Sequence, residues 1–519
     1  MDVEILSRIQ FAFTIAFHYI YPPLSIGLGV ALVVMEGLWL KTRNVRYHNM
    51  ARFWTKIFGL TFAIGVATGI VMEFEFGTNW ATYSRFVGDV FGSPLAMEGI
   101  YAFFLESGFL ALLLFGWDKV GPYVHFFATC MVCLGAHFSA VWIVVANSWM
   151  QTPAGYQLAR AQTGADGNIL RDAMGRTIEE PLPAGYIPGP EDLYTVRAVI
   201  TDFWGMVFNP SSVDRLTHTL IGAWLAGAFL IISVSAYYLI KRRHERFART
   251  SLKIGLGFAA AVSLLQLVSG HSSAKVVAEH QPVKLAAMEG LFETREAAPL
   301  HLFGWVDEEN NDVIGPALPG MLSFLVHNTP EGTVQGLNDP ELARMGRPPV
   351  QATFQLFHLM VAIGFALIAV SWGGLLLWWR GVLFDPDSRL GRAYLWVLVV
   401  SVLGPQIANQ AGWFTAEIGR QPWIVYGLMK TSDGISRAIS AEQVVFSLIL
   451  FALIYLLLFV VFIYLLDRKI KHGPSDREEG GVLPEKWQRT GLGRAVMEAG
   501  RGHVAGGGAG EDAGEGGRA

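Results

Sequence analysis

The stretch TFQLFHLMVAIGFALIAVSWGGLLLWW, from Thr353 to Trp379, contains no aspartate, glutamate, lysine or arginine. It is longer than the ~20 apolar residues that a helix needs to cross a bilayer. In the whole chain 52% of the residues are hydrophobic and 16% are charged, a balance typical of a polytopic membrane protein. The sequence therefore predicts an all-α polytopic membrane protein with nine transmembrane helices. The other eight segments cover residues 11–40, 57–80, 95–117, 124–149, 216–240, 252–270, 393–414 and 441–466.

Lysine and arginine are concentrated in alternate connections, and this bias predicts the orientation. Basic clusters follow the first, fifth, seventh and ninth spans, and the cluster after the fifth reads KRRHERFAR at 241–249. The opposite connections include two long loops, 150–215 and 271–352, in which basic residues are sparse. We therefore expect the N-terminus outside and the C-terminus in the cytoplasm. Residues 1–470 form the predicted transmembrane domain, and residues 471–519, rich in Gly, Glu, Asp and Arg, form a predicted disordered cytoplasmic tail.

The end of the eighth span, GWFTAEIGRQPW at 412–423, places Glu417 and Arg420 three residues apart. Charged groups at the edge of a bilayer are costly unless they meet a partner, water or a metal. One interpretation is a functional site. The other is an interfacial ion pair in which Trp413 and Trp423 form an aromatic belt. Local sequence alone leaves both interpretations open.

Four side chains that can bind a metal fall at one depth of the predicted topology, in its outer half. His18 lies in the first span, His218 near the outer end of the fifth, Met360 in the seventh, and Glu417 at the end of the eighth. A single histidine in a span is more often a hydrogen-bonded packing residue, and a single methionine is nearly always core. Together, however, they are the ligand types of haem iron, with His and Met typical of a low-spin haem and one His or carboxylate typical of an open site. Their coincidence predicts a haem pocket.

The third span contains two acids, Glu98 and Glu106, in the stretch MEGIYAFFLES. They are about 12 Å apart along a helix and rotated by about 80°, so both can border one buried path. Because acids at such depth often belong to proton relays, we favour a relay. The alternative is a structural pairing of the two acids with hydroxyls such as those of Ser107 and Ser139.

Lys284 and Glu289 lie five residues apart in a short amphipathic stretch of the loop that follows the sixth span. A solvated surface helix accounts for both residues. A site for a polar ring, such as a quinone head at the membrane surface, accounts for them equally well.

Several long motifs give the chain a resemblance to a known family. GWFTAEIGRQPW is very similar to a signature of subunit I of the cytochrome bd-type quinol oxidases. The resemblance runs from residue 5 to residue 470, and the short loop is similar to that of the cyanide-insensitive branch. The other matching stretches, in order, are FHYIYPPLSIGLG at 17–29, SPLAMEGIYAFFLES at 93–107, SAVWIVVANSWMQTP at 139–153 and KLAAMEGLFE at 284–293.

The resemblance implies three haems. His218 and Met360 would be the axial ligands of a low-spin haem b. His18 and Glu417 would serve a high-spin haem b and an oxygen-reducing haem d, with His18 assigned to haem d, although some members carry a b-type haem in that place. Arg420 would neutralise a haem propionate or the ligand carboxylate, since its fork suits carboxylates. Trp413 would line the pocket.

The resemblance also implies a quinol-oxidising loop and a proton route. Lys284 and Glu289 match the quinol loop, 271–352, which is shorter here than in long-loop members. One departure concerns His358, because many members have an arginine two residues before the methionine ligand. The residues that match the proton route are Glu98, Glu106, Ser107 and Ser139, with His125 beside them.

The function implied is that of a terminal respiratory oxidase. It would oxidise membrane quinol at the outer face and reduce O₂ to water with cytoplasmic protons, generating a membrane potential without pumping. The resemblance further implies a second membrane subunit as partner and a place in the bacterial cytoplasmic (inner) membrane. No nucleic-acid partner is expected. Two alternatives are an ion or solute transporter that uses the intramembrane carboxylates, and a haem-bearing subunit of a quinol–cytochrome reductase.

Overall fold

The computed structural model describes residues 2–164 and 168–474. Within these residues, nine helical segments are long and apolar enough to cross a membrane. The nine predicted spans are thus confirmed, whereas the predicted tail lies outside the described residues from residue 475 onward. The segments are Val3–Thr42, Val45–Thr78, Ala81–Phe115, Pro122–Gln151, Ser212–Ile240, Glu245–His280, Val350–Trp379, Arg389–Ile418 and Ala441–His472.

The first span consists of two helices, α1 (Val3–His18) and α2 (Tyr21–Thr42). Pro22 and Pro23 stand in the first turn of α2. Proline has no backbone N–H, so it is tolerated where a helix begins and disrupts a helix interior. The prolines therefore explain why the helix is interrupted directly after His18.

The third span changes its helical type midway. Helix α4 (Ala81–Met97) passes into a π-helical segment, Glu98–Phe103, which is followed by α5 (Phe104–Phe115). Pro94 lies inside α4 and cannot donate the usual hydrogen bond to the preceding turn. π-helical turns occur often at functional sites. This one begins at Glu98, one of the two predicted relay acids.

The sixth span is longer than its apolar pattern predicts. Its helix continues from residue 271 to His280, so the first part of the predicted quinol loop is helical. The remaining helices, in chain order, are α3 (Val45–Thr78), α6 (Pro122–Gln151), α7 (Phe203–Val207), α8 (Ser212–Ile240), α9 (Glu245–His280), α10 (Pro282–Glu289), α11 (Met321–His327), α12 (Pro340–Ala343), α13 (Val350–Trp379), α14 (Arg389–Val400), α15 (Leu403–Ile418) and α16 (Ala441–His472).

The longest connections, 152–211, 281–349 and 419–440, lie at the same end of the bundle because the spans alternate in direction; we call it the loop end. They contain small antiparallel sheets with the orders β2–β1–β3, β4–β7, β5–β6 and β8–β9. The strands are β1 (Tyr156–Ala161), β2 (Glu179–Pro181), β3 (Val196–Ile200), β4 (Leu300–His301), β5 (Trp305–Asp307), β6 (Asp312–Ile314), β7 (Ala317–Leu318), β8 (Trp423–Val425) and β9 (Met429–Lys430), with 3₁₀ turns at Pro190–Asp192 and Thr431–Gly434.

Helix α8 lies in the middle of the bundle, whereas α16 is mostly exposed at its edge. Helices α2 and α8 cross at Gly27 and Gly227, where a Cβ on Gly27 would lie 2.4 Å from the carbonyl oxygen of Ala223. Small residues at a crossing let two membrane helices approach backbone to backbone. This close contact fixes α1 and α2 against the helix that carries His218.

Candidate functional site

Helix α15 brings the candidate ligands His218 and Met360 to one place, although they stand on α8 and α13. Asn409 Nδ2 of α15 donates to the carbonyl oxygen of Gly222, one turn after His218, at 3.3 Å. Three residues further along α15, Gly412 faces Met360 so closely that a Cβ there would lie 2.6 Å from the Met360 Sδ. The two candidate axial ligands therefore border the same turn of α15.

His18 approaches this turn of α15 from α1. Gln410 Nε2 donates to the carbonyl oxygen of Ala16, two residues before His18, at 2.7 Å. On its other side, His18 Nδ1 lies 2.9 Å from the hydroxyl oxygen of Thr68. A Cβ on Gly69 would lie 3.2 Å from His18 Cε1, so the glycine leaves room beside the ring.

Hydrogen bonds set the same tautomer on both histidines. The Thr68 hydroxyl donates to a carbonyl of its own helix at 2.9 Å, so His18 Nδ1 must donate to Thr68. Likewise the Ser269 hydroxyl donates to the Gln266 carbonyl, and His218 Nδ1 donates to Ser269 at 3.0 Å. A neutral imidazole that carries its proton on Nδ1 has a free electron pair on Nε2, the atom that can bind iron. The Gln266 amide nitrogen lies 3.0 Å from Nε2 and 3.3 Å from Nδ1 of His218, so it can donate to whichever ring nitrogen carries no proton.

Glu417 is the centre of a buried polar network. Arg420 Nη2 donates to Oε2 of Glu417, and Arg420 Nε donates to the carbonyl oxygen of Trp423 at 3.1 Å. Asn147 and Gln151 donate to Oε1 from α6 at 3.0 and 3.3 Å. Glu417 and Arg420 do form an ion pair, and the pair is shielded from solvent, since Arg420 is only 3% exposed.

The aromatic belt predicted with the ion pair is wrong for one of its two tryptophans. Trp423 is buried, and its indole nitrogen donates to the carbonyl oxygen of Met345 at 2.7 Å. Trp413 is half-buried beside the ring of Phe414, at a centroid distance of 5.1 Å. Trp423 therefore holds the end of the motif against the loop, and Trp413 stands at the edge of the bundle.

Three basic residues lie near the carboxylate of Glu417. Arg420 is one, and Arg215 of α8, which the sequence analysis missed, donates to the Asn147 amide oxygen that adjoins Glu417. The third is Lys284, whose Nζ donates to the side-chain oxygens of Gln281 and Gln151. Burial, followed by the nearby Arg215 and Arg420, holds the pKa of Lys284 well below its usual range, and Glu417 opposes that shift.

The donor set fits haem better than a bare metal ion. Among residues 2–164 and 168–474 no group of three or more His, Cys, Asp or Glu could hold a metal ion. Each candidate ligand instead offers one atom that could bind a metal, and it stands alone rather than in a cluster of ligands. Single ligands of this kind are what haem iron takes from a protein. Arg420 Nη1 is buried without a hydrogen-bond partner in this described part of the chain. Such a group suits a haem propionate.

Helix α10 is buried, so the interpretation as a solvated surface helix is wrong. Lys284 and Glu289 are 3% and 4% exposed. Burial raises the pKa of the Glu289 carboxyl to about 8, so this group is mainly protonated at neutral pH. The two ends of α10 face different surroundings. Lys284 reaches the network around Glu417, whereas Glu289 lies at the turn into the rest of the loop.

The structure brings the two predicted relay acids to the same face of α6. The hydroxyl of Ser139 donates to Glu98 at 2.7 Å. Glu106 is buried, and a Cβ on Gly135 would lie 2.8 Å from its Cβ. Gly135 and Ser139 are one turn apart on α6, so both acids border this helix. Ser107 is half-buried beside Glu106 in the chain.

A further buried acid was missed in the sequence. Glu36 of α2 is fully buried, and both of its oxygens are bonded to α6: His125 Nδ1 lies 3.1 Å from Oε2, and the Thr129 hydroxyl donates to Oε1 at 2.8 Å. An acid within an apolar span was the available signal. The pairing with His125, which stands 89 residues away, could not be seen along the chain.

Comparisons with known proteins find relatives that are similar over most of the chain. Residues 6–474 match the family described as "Cytochrome bd terminal oxidase subunit I". A Bacillus subtilis protein named cytochrome bd ubiquinol oxidase subunit 1 is 36% identical, over 91% of this chain and 94% of its own length. An Escherichia coli protein named cytochrome bd-II ubiquinol oxidase subunit 1 is 34% identical, over 91% and 97%. The solved bd oxidase of Geobacillus thermodenitrificans matches with a TM-score of 0.77 and 32% identity, over 91% of this chain and 99% of the other.

Proposed function

From the premise that this chain belongs to the cytochrome bd terminal oxidase subunit I family, and is a multi-pass membrane subunit of a quinol:oxygen oxidoreductase, we propose how its residues carry the reaction. The family implies haem cofactors and a quinol substrate. When bound, haem supplies one-electron transfer and, at an iron with an open position, the reduction of O₂. The protein supplies the ligands, the counter-charges and the proton carriers.

His218 and Met360 would hold a low-spin haem b, which would supply one-electron transfer at this position. The contact of Met360 with Gly412 of α15, the bond from Asn409 of α15 to Gly222 one turn from His218, and the Ser269 hydroxyl beside Nδ1 of His218 support this assignment. A His/Met ligand set favours electron transfer over oxygen binding because neither axial position stays open. A haem held by His218 and Met360 would therefore suit the role of first acceptor of electrons from quinol.

His18 and Glu417 hold the other two haems. We assign His18 to the oxygen-reducing haem d, or to the b-type haem that takes its place, and Glu417 to a high-spin haem b. The hydrogen bond from His18 to Thr68 and the bonds from Arg420 and Asn147 to Glu417 orient the two ligands. The surrounding cations neutralise the haem propionates.

Lys284 and Glu289 hold the quinol head at the loop end, and the protons of quinol leave on that side. The protons for water formation come from the opposite side through Glu106 and Glu98, with Ser139 keeping Glu98 in place. Charge therefore crosses the membrane without a pump, and each elementary charge moved across 100 mV is worth about 2.3 kcal/mol. A second membrane subunit covers the exposed spans, and the complex lies in the bacterial inner membrane.

The observation that carries the proposal is that one turn of α15 contacts Met360 itself, Gly222 one turn from His218, and Ala16 two residues from His18. A reduced-minus-oxidised spectrum of the purified complex, with and without CO, tests it. We expect bands of low-spin haem b and of a CO-reactive haem, and His218→Ala and Met360→Ala should each remove the low-spin bands. A colourless protein would refute the proposal, and low-spin bands that survive in both variants would reassign the ligands.

The proton route has its own test. Glu106→Gln keeps the shape of the side chain and removes its exchangeable acid, so turnover should fall while haem reduction by quinol continues. The matched control is Glu75→Gln, since Glu75 is a buried acid of α3 that is bonded to Thr14. Full turnover in Glu106→Gln would exclude Glu106 as a proton carrier.

A further inference from the structure

Two polar atoms near the end of α10 are buried without a hydrogen-bond partner among the residues described. One is Oε2 of Glu289, and the other is Nδ1 of His301 in β4. A buried polar group without a partner is costly, and these two groups belong to residues that adjoin each other at one end of α10. Unpaired atoms at a loop that faces the membrane surface suggest polar groups of a ligand.

The chain folds so that these two residues adjoin each other. Gly290, with a φ of 65°, turns the chain after α10, and the loop returns to place the His301 ring near the backbone of Glu289. His358 of α13 donates from Nε2 to the carbonyl oxygen of His301 at 2.9 Å. Phe354 stacks on His358 at a centroid distance of 3.9 Å. The position of His301 is therefore fixed by two helices.

The surface beside His301 is apolar. Leu302, Phe303 and Trp305 are 51%, 66% and 65% exposed. A cluster of large exposed apolar side chains on a loop marks a place where a membrane or an apolar molecule is contacted. A membrane quinol has a polar head of two hydroxyls and an apolar remainder, so it fits a polar pair flanked by such a surface.

We propose that Nδ1 of His301 is the base that accepts a hydroxyl proton from quinol, while the neutral Glu289 carboxyl donates a hydrogen bond to a ring oxygen of the same molecule. This inference rests on the proposed quinol site. It adds a residue that none of the matched motifs contains, and it makes Glu289 a donor.

The charges around His301 support this division of roles. Burial lowers the pKa of His301, with contributions in the same direction from His358 and Arg295, while the Glu289 carbonyl and Asp312 oppose them. His301 is therefore neutral at pH 7 and can accept a proton. The Glu289 carboxyl, with its pKa raised to about 8 by burial, still holds its own proton and cannot accept one.

The step balances with the established reaction. The O–H bond of the quinol hydroxyl breaks, a bond between Nδ1 of His301 and hydrogen forms, and the quinol loses the electrons that the oxidase delivers to O₂. His301, partly exposed at the loop end, then releases the proton to water on that side. Two such proton releases and two electrons convert one quinol to quinone.

The test uses the purified complex with all its subunits, with decylubiquinol and menadiol as the substrates. His301→Asn and His301→Gln remove the base and keep a polar side chain. His327→Gln is the matched control, because His327 is an exposed histidine of the same loop. Anaerobic rapid mixing measures haem reduction by quinol, and a second experiment measures the reaction of the pre-reduced complex with O₂.

We expect His301→Asn to slow haem reduction by about 10²-fold, the usual contribution of a general base, and to leave the O₂ reaction unchanged. In the unaltered protein kcat/KM should fall at acid pH as His301 becomes protonated, with the midpoint below that of a free histidine because its pKa is lowered, and again above about pH 8 as Glu289 ionises. His301→Asn should abolish the acid limb, and Glu289→Gln should abolish only the alkaline limb.

Unchanged haem reduction and an unchanged acid limb in the His301 variants would overturn the inference while leaving the oxidase function standing. If neither variant assembles, the pH profile of the unaltered protein decides: a kcat/KM with no acid limb at any pH at which the complex stays folded overturns the inference, and an acid limb supports it. A failure of quinol to reduce the haem of the unaltered protein would instead refute the proposed function.

Discussion

The contact between Gly412 and Met360 allows the low-spin haem assignment to be tested without removing a ligand. Replacing Gly412 by alanine adds one methyl group to α15, and that methyl would lie 2.6 Å from Sδ and 3.7 Å from Cγ of Met360. We expect the thioether to be displaced from its position. Low-spin haem b would then lose or weaken its methionine ligand.

The size of the effect follows from the distances. Non-bonded carbon atoms are most stable about 3.5–4.0 Å apart, and sulfur is at least as large as carbon, so Sδ must move by about 1 Å or more. A coordinate bond to iron does not tolerate such a movement, whereas a flexible methionine can make it without disrupting the core. Alanine also favours a helix over glycine by about 1 kcal/mol, so the helix itself is not weakened.

The assay is a reduced-minus-oxidised spectrum with a redox titration of the purified complex. In Gly412→Ala the low-spin bands should shrink or move to a lower potential, and the CO-reactive haem should be unaffected. The matched control is Gly364→Ala, one turn after Met360 on α13, where the added methyl group meets nothing within 4 Å. Low-spin bands and potentials in Gly412→Ala equal to those of the control would refute Met360 as the ligand at this position.

Three further predictions concern buried polar groups. Arg420→Lys removes the planar fork that bonds Glu417, and the lost charge-assisted hydrogen bond should cost about 1.5–3 kcal/mol, seen as haem loss at a lower temperature in a melt followed by absorbance. Glu36→Ala leaves His125 without its carboxylate partner and should destabilise the complex by about 3–5 kcal/mol, whereas Glu36→Gln should cost less; equal thermal midpoints would contradict this. The raised pKa of the Glu289 carboxyl means that its contribution to stability is complete below pH 4.5 and is lost as the pH rises to about 8, at up to about 1.4 kcal/mol per unit, so Glu289→Gln should flatten the pH dependence of the thermal midpoint.

The nine spans could be predicted because they depend on a local property. A segment such as 353–379 is apolar over its whole length, and a bilayer accepts such a segment only as a helix with its backbone hydrogen bonds satisfied internally. Interruptions within spans were not predicted. Pro22 explains the break after His18, but the π-helical turn at Glu98 depends on packing against α6 as well as on Pro94.

The candidate site was predicted by residue type and depth. His18, His218, Met360 and Glu417 were chosen because their side chains are unusual within apolar spans or suit haem iron. Their assignment to particular haems remains a proposal. The burial of α10 could not be predicted from the sequence. Its amphipathic pattern is equally typical of a helix exposed to solvent and of a helix covered by the loop.

The sequence by itself determined the number of spans, the places of the charged residues along them and the family of the chain. These depend on composition and order, which act over one helix at a time. Only the tertiary structure decided that α15 meets α1, α8 and α13 within one turn, that Glu36 pairs with His125, and that Glu289 and His301 adjoin. Such pairs join residues far apart in the chain, and the packing of whole helices, set by close contacts such as Gly412 against Met360, determines which side chains meet.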